Sequence, residues 1–225
     1  MRIACYFVGL VLTLSLALPA AAAERALDLL DPPVSFTADF SVSGDKGSYA
    51  GTVWHAPGRE RRDFATKAGG QAVILRRDTD SAYLLKPGGR WYVGLGFAAV
   101  GSLAGGLDSL TVERTRLGSD SVAGIKATRY KVVGAGPKGS RFDGHAWFSA
   151  DGIVLKAAGV MTGADGRKSE VATELANLRV GRVDERVFEL PAGWFGMDLR
   201  SVPAERLTQA VESLKPLLEG RGAYQ

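Results

Sequence analysis

Few side chains in this sequence carry the chemistry of a catalytic or metal site. There are two histidines, His55 and His145, and neither has partners at the spacing of a metal site or a proton relay. His55 stands at a strand end beside Ala56-Pro57, and His145 opens His145-Ala146-Trp147-Phe148, so both read as satisfied edge side chains. Asp78 and Asp80 form a local acidic pair, but Asp78-Thr79-Asp80-Ser81 falls between two strands and reads as turn chemistry. Gly94-Leu95-Gly96-Phe97-Ala98-Ala99 has the glycine spacing of a dinucleotide fingerprint, and Glu113 lies near the distance of the acid that would hold the ribose. Its neighbours, however, read as hairpin strands rather than a parallel βαβ unit. Gly134-Ala135-Gly136-Pro137-Lys138-Gly139-Ser140 lacks the lysine-hydroxyl ending of a phosphate loop. The residues thus give no reason to expect an enzyme, a cofactor or a metal.

The start of the chain narrows the chemistry further. Met1-Arg2 is a short basic start, Ile3 to Leu18 is an unbroken apolar run, and Ala20-Ala21-Ala22-Ala23 supplies the small residues of a cleavage site. An apolar run of about 16 residues falls short of the ~20 needed to cross a bilayer, which argues against a retained anchor. Residues 1–23 are therefore expected to be a signal peptide cleaved near Ala23, so that the mature protein is exported. Cys5, the only cysteine, lies inside that segment. The mature chain would have no disulfide, thiol nucleophile or cysteine metal site.

Residues 24–225 are enough for a single domain with one core. They carry 27 basic and 24 acidic side chains, a scattered formal charge of +3. The densest basic spots, Arg59-Glu60-Arg61-Arg62 and Arg76-Arg77, are interrupted or followed by acids and read as outward strand faces. No basic stripe with interleaved aromatics marks a nucleic-acid partner.

Periodicity is overwhelmingly two. Val34-Ser35-Phe36-Thr37-Ala38-Asp39-Phe40-Ser41-Val42 alternates apolar and polar along its length, which sets one strand face against a core. Shorter runs follow at Tyr49 to His55, Arg61 to Thr66, Ala72 to Arg76, Ser81 to Leu85 and Arg90 to Leu95. A second series spans Leu110 to Leu117, Ile125 to Val133, His145 to Ser149, Ile153 to Thr162 and Glu170 to Val180. Turn signals such as Pro57-Gly58, Gly69-Gly70 and Asp151-Gly152 separate them. About eleven strands on tight hairpins predict a mainly β fold with few helices: one large antiparallel meander, curled because twist accumulates and one apolar face needs cover. Three segments offer that cover. Ala26 to Leu30 reads as a short helical turn, and Pro203 to Lys215 as an amphipathic helix with Leu207, Ala210, Val211 and Leu214 on one face. Gly94 to Leu107 has no charge and five glycines; it reads as an apolar lid, or as a fixed helical plug.

Gly51-Thr52-Val53-Trp54-His55-Ala56-Pro57, then Arg61 to Phe64, Ile74 to Leu85 and Trp91-Tyr92, resemble the first half of the LolA-type outer-membrane lipoprotein carrier superfamily. Val122 to Val132, Ala146 to Lys156 and Phe188-Glu189-Leu190-Pro191-Ala192-Gly193-Trp194 are similar to its second half, especially in its poorly characterised members. The resemblance covers roughly Val34 to Trp194 and lies mainly in the order of the motifs. It implies an open half-barrel closed by helices around an apolar cavity, and a periplasmic protein that binds acyl chains or other hydrophobic ligands. Carriers of this kind have an arginine directly before the proline that ends the second strand. Here that position is Ala56, with Arg59 and Arg61 as the nearby arginines.

The expected function is thus binding or carriage of a lipid, a lipoprotein acyl chain or another hydrophobic ligand. The alternative is a sensor or assembly protein of the envelope that takes a transient protein partner. Burying about 15 methylenes gains at most ~12 kcal/mol, nearly what a bilayer gives, so a carrier needs to match the membrane rather than beat it. The residues expected to line the cavity are Phe36, Phe40, Val53, Tyr83, Leu85, Trp91, Tyr130, Trp147, Leu155 and Met161, with Phe97 and Leu103 from the lid; the competing reading of each is an ordinary dry core.

Overall fold

The computed structural model describes residues 23–45, 47–66, 69–97, 99–100, 109–163, 165–202 and 206–207. Residues 1–22 of the expected signal peptide, Leu103 and all of the expected 203–215 helix except Arg206 and Leu207 lie outside them. In chain order the elements are β1 (Glu24–Arg25), α1 (Ala26–Leu29), β2 (Phe36–Gly44), β3 (Gly47–Ala56), β4 (Arg59–Thr66), β5 (Gly69–Arg76), β6 (Ser81–Lys86), β7 (Trp91–Gly96), β8 (Thr111–Val122), β9 (Ile125–Ala135), β10 (Arg141–Phe148), β11 (Val154–Thr162), β12 (Lys168–Val180) and β13 (Phe195–Asp198), with short 3-10 turns between some of them.

All thirteen strands join one open sheet in the order β1-β8-β9-β10-β11-β12-β2-β3-β4-β5-β6-β7-β13. Consecutive strands are neighbours within two meanders, β2 to β7 and β8 to β12. The rule stops at β7, because the next strand, β8, starts the second meander on the far side of the sheet. The meanders meet where β12 pairs antiparallel with β2, Leu175 opposite Phe40 and Thr173 opposite Val42. Two strands are too short to show a period: β1, two residues long, and β13, which pairs parallel to β7 and makes the sheet mixed.

Cross-strand register assigns the faces. Phe36 lies opposite His55, Ala38 opposite Val53, and Phe40 opposite Gly51. Val53 in turn faces Arg62, and His55 faces Glu60. These residues share one face, called inner here because α1 lies over it, and Phe36, Ala38, Phe40 and Val53 form a core with Leu155 and Leu175. The opposite face over β5 to β7 carries Ala72, Ile74, Tyr83, Leu85 and Tyr92, and Leu190 and Trp194 cover it. Both faces are therefore apolar across β5 to β7, and the segment between β12 and β13 supplies the outer cover.

The sheet has to curl. Arg25 pairs with Thr111 on β8, yet six residues later the Asp31 carboxylate accepts a hydrogen bond from Gly58 N in the β3–β4 turn. In a flat sheet β8 and β3 would stand six spacings apart, about 29 Å. Six residues reach at most about 21 Å when fully extended, and less with a helical turn among them. Only a sheet bent around α1 allows both contacts. Gly58 itself adopts φ +78°, a conformation the turn can take cheaply only with glycine.

Close approach explains a second pair of glycines. Gly144 on β10 and Gly159 on β11 lie opposite each other. A Cβ on either would overlap a carbonyl oxygen across the ladder and meet the Phe142 ring, which occupies the slot they leave. Gly159→Ala should therefore lower stability by about 2 kcal/mol through overpacking, some 5 °C in melting temperature for a chain of this size. Gly88→Ala, with nothing within 4 Å of the added carbon, should leave thermal melting unchanged; equal melting of the two variants would contradict this packing.

Candidate functional site

β4 alternates charge with charge. Arg59, Arg61 and Asp63 share one side and Glu60 and Arg62 the other, so the strand puts an ion pair onto an otherwise apolar inner face. Arg61 is held on the outer side, donating to both Asp63 oxygens and to the Val187 carbonyl. On the inner side, Arg62 Nε donates to Glu60 Oε1 at 2.7 Å, and the guanidinium lies 5.1 Å from the Phe40 ring centre. Across the ladder His55 is 1% exposed. Its ring stacks on Phe36 at 5.0 Å, Nε2 donates to the Pro32 carbonyl at 3.1 Å, and Nδ1 lies 3.6 Å from Glu60 Oε2. Burial pushes the Glu60 carboxyl up, but the Arg62 charge and hydrogen bond together with the adjacent His55 outweigh it and hold the group at about 2.

This cluster, with Asp31, Arg59 and Arg77, forms the polar part of a cavity of about 370 Å³ whose apolar walls are Leu27, Leu30, Tyr49, Val73, Leu75, Phe97 and Val100. A second cavity of about 250 Å³ shares Leu30, Glu60 and Arg62 with it and continues over Phe36, Val53, Ile153 and Leu175. Residues at α1 (Leu27, Leu30) and just after β7 (Phe97, Val100) both line the larger space. Arg77 bridges them: Nη1 donates to the Leu27 carbonyl at 2.7 Å, and the guanidinium lies 5.5 Å from the Phe97 ring centre. Arg59 also borders this cavity, with Nε on Asp78 Oδ2 at 3.0 Å.

The twelve residues expected to line a cavity are dispersed. Phe36 and Val53 border the smaller cavity and Phe97 the larger, while Phe40 lies beneath Arg62. Leu155 is buried in the core with Phe36. Tyr130 packs in an inner-face cluster beside α1 with Ala146 and Phe148, Trp91 packs with Val93, Leu95 and Leu207 toward the β13 edge, and Met161 stands opposite Phe142. Tyr83 and Leu85 belong to the outer cluster under Trp194. Trp147 is also on the outer side, its Nε1 donating to Asp120 at 2.7 Å. Leu103 lies outside the described residues. The expected lid begins later than Gly94, because Gly94 and Gly96 complete β7 and face Tyr83 and Ser81 on β6. Phe97, Ala99 and Val100 follow it.

His55, Glu60 and Arg62, taken from sequence as edge or outward residues, are the ones the fold gathers. Their signal was parity: His55 alternates with Val53 on one strand, and Glu60 and Arg62 alternate on the next. His145, by contrast, stands on the outer face beside Trp147, where partial burial and the nearby Arg129 and Lys131 push its pKa down.

No family model matches the sequence, and comparison with curated proteins finds no similar sequence. Among solved structures the chain is similar to an uncharacterized conserved protein from Thermus thermophilus, with 13% identity and a TM-score of 0.51 over 77% of this chain and 96% of that one. That likeness shows a shared fold. MucB is similar at 16% identity and a TM-score of 0.48 over 76% of this chain and 64% of its own. The Pseudomonas aeruginosa MucA/MucB complex is similar at 14% and 0.44, over 74% of this chain and 60% of that one. The match thus spans less than two thirds of either of these last two chains.

The Glu60 pair has a pH signature. A carboxyl held at about 2 when folded, against 4.5 ordinarily, adds stability that is fully present above about pH 5 and is lost as pH falls toward 2. Glu60→Gln should flatten the fall in denaturant stability between pH 5 and 2 by the order of 3 kcal/mol. Parallel stability profiles for the variant and the parent would contradict the buried ion pair.

Proposed function

We propose that this chain is an exported binding protein of the envelope that shelters the hydrocarbon part of a lipid or lipoprotein in the inner-face cavity, without catalysis. One observation carries the reading. The curled sheet, the four-residue helix, and Phe97 and Val100 after β7 border a largely apolar space of about 370 Å³, within the size range of ligand pockets. Aliphatic and aromatic side chains make up half of its lining, and its five charged residues are paired, Arg62 with Glu60, Arg77 with Asp31 and Arg59 with Asp78. Such a space rewards transfer of methylenes from water at about 0.8 kcal/mol each. The motif order shared with the LolA-type carriers supports the same ligand class, and the signal-like start supports a periplasmic site of action.

The carriers' arginine position also finds a reading here. Ala56 ends β3, and of the two arginines that follow, Arg59 borders the cavity while Arg61 is engaged on the outer face. Arg59 is therefore the better placed to meet a ligand.

Solvent extraction of the purified protein followed by mass spectrometry should release acyl-bearing species in near-stoichiometric amount. Phe97→Asp, which sets a charge into the apolar wall, should weaken binding of a fluorescent fatty acid at least about tenfold with the strand signal of circular dichroism intact. Absence of both extractable lipid and fatty-acid binding would overturn the proposal.

A further inference from the structure

Beyond the short β1, strand β8 is itself an edge of the sheet among the described residues. It runs twelve residues, Thr111–Val122, and pairs with β9 along that length. On its other side β1 covers Thr111 and Val112 alone. Ala26 N donates to the Leu110 carbonyl, so Leu110 turns its backbone groups toward the β1 side. Strand alternation turns those of Val112, Arg114 and Arg116 the same way, and those of Thr111, Glu113 and Thr115 toward β9. The bulge between Arg116 and Gly118 ends the regular run. Arg114 and Arg116 thus present their N–H and C=O groups in strand register just past the end of β1. Charge on this edge is equally specific. Arg114 donates to the Glu24 carboxylate from Nε at 3.0 Å and from Nη2 at 3.2 Å, a diagonal contact, because Glu24 stands opposite Val112. Arg116 lies two residues on along the same face, is exposed, and has no ion pair among the described residues.

We infer that the edge from Glu113 to Arg116 is a docking site for an extended segment of another protein, added antiparallel to β8 beyond β1 and carrying an acidic residue opposite Arg114. Main-chain hydrogen bonds to Arg114 and Arg116 supply the pairing, as in other strand additions. The acidic residue reaches Arg116 by the same diagonal that Glu24 uses to reach Arg114. A second copy of this chain fits the edge poorly, because pairing Arg114 and Arg116 with their counterparts about a two-fold axis sets arginine against arginine on one face. An anionic bilayer offers charge to Arg116 but no backbone to extend the ladder. This edge is separate from the lipid cavities, whose linings include no residue of β8.

The peptides acetyl-Thr-Val-Glu-Val-Thr-amide and acetyl-Thr-Val-Lys-Val-Thr-amide share a strand-forming frame and differ in charge. Nuclear magnetic resonance of the full-length protein should show fast amide hydrogen exchange at Arg114 and Arg116 beside a slow Thr115. The glutamate peptide at about ten times its Kd should slow the two arginine amides about tenfold and leave Thr115 unchanged, the alternation of an added strand. It should also bind about threefold more tightly than the lysine peptide. Arg116→Glu, a change at an exposed position, should reverse that order. Peptide contacts elsewhere, equal affinity for the two peptides, or an order that survives the charge reversal would overturn the inference. So would slow exchange at Arg114 and Arg116 in the free protein. The edge would then already be paired, by a second copy if protection grows with protein concentration and by another part of this chain if it does not. Each of these outcomes leaves the lipid cavity standing.

Discussion

The antiparallel pairing of β12 with β2 is the constraint on which the rest of the molecule depends. It joins two meanders into a single sheet, and its register brings Leu175 against Phe40 on the side that carries Phe36, Ala38 and Val53. An irregularity between Ala176 and Arg179 interrupts the ladder, with Asn177 at φ +53° donating to Asp39. A sheet fused this way has a continuous apolar inner face. Its curl follows from the short reach of α1, tied to β8 at one end and to the β3–β4 turn at the other. Among the described residues α1 covers only part of that face, and the cavity lies beside it, bordered also by Phe97 and Val100.

An ion pair on such a face needs explanation, because charge moved out of water is costly unless it is matched. Glu60 and Arg62 match each other two residues apart on one strand, and Phe40 lies under the guanidinium as a cation–π partner. His55 completes the cluster from the next strand and anchors it to Pro32, just beyond α1. The polar group that conditions the cavity is thus also part of what fixes the position of its cover. Arg77 acts similarly on the other side, joining the Leu27 carbonyl to the Phe97 ring. Cover and wall are tied by polar contacts that are few and specific, while the space between them stays apolar.

Much of this architecture was legible in the sequence and the rest was not, for physical reasons. The alternation from Val34 to Val42 identifies β2 and its inward residues, and the hairpin signals place ten further strands. β13 escapes because Phe195-Gly196-Met197-Asp198 is too short to show a period, and its parallel pairing to β7 comes from a distant part of the chain. The seam of β12 with β2 is likewise a non-local choice. Parity is ambiguous where both faces are covered: Ala82 to Leu85 and Ala146 to Phe148 are apolar at every position, so Tyr83, Leu85 and Trp147 carry no sign of which face they occupy. Arg59-Glu60-Arg61-Arg62 fails in the opposite sense. Four charged residues in a row read as solvated, whereas strand alternation necessarily turns two of them inward, where their opposite charges make the burial tolerable.

Binding of an oily chain between α1 and β4–β5 is the claim on which the functional reading stands. Isotope-filtered nuclear Overhauser spectroscopy with a carbon-13-labelled fatty alcohol tests it most directly. Cross-peaks from the ligand methylenes to the methyl groups of Val73, Leu75 and Leu30 and to the Phe97 ring are the predicted result. Cross-peaks confined to the outer-face residues Tyr83, Leu190 and Trp194, or none to any side chain, would contradict it.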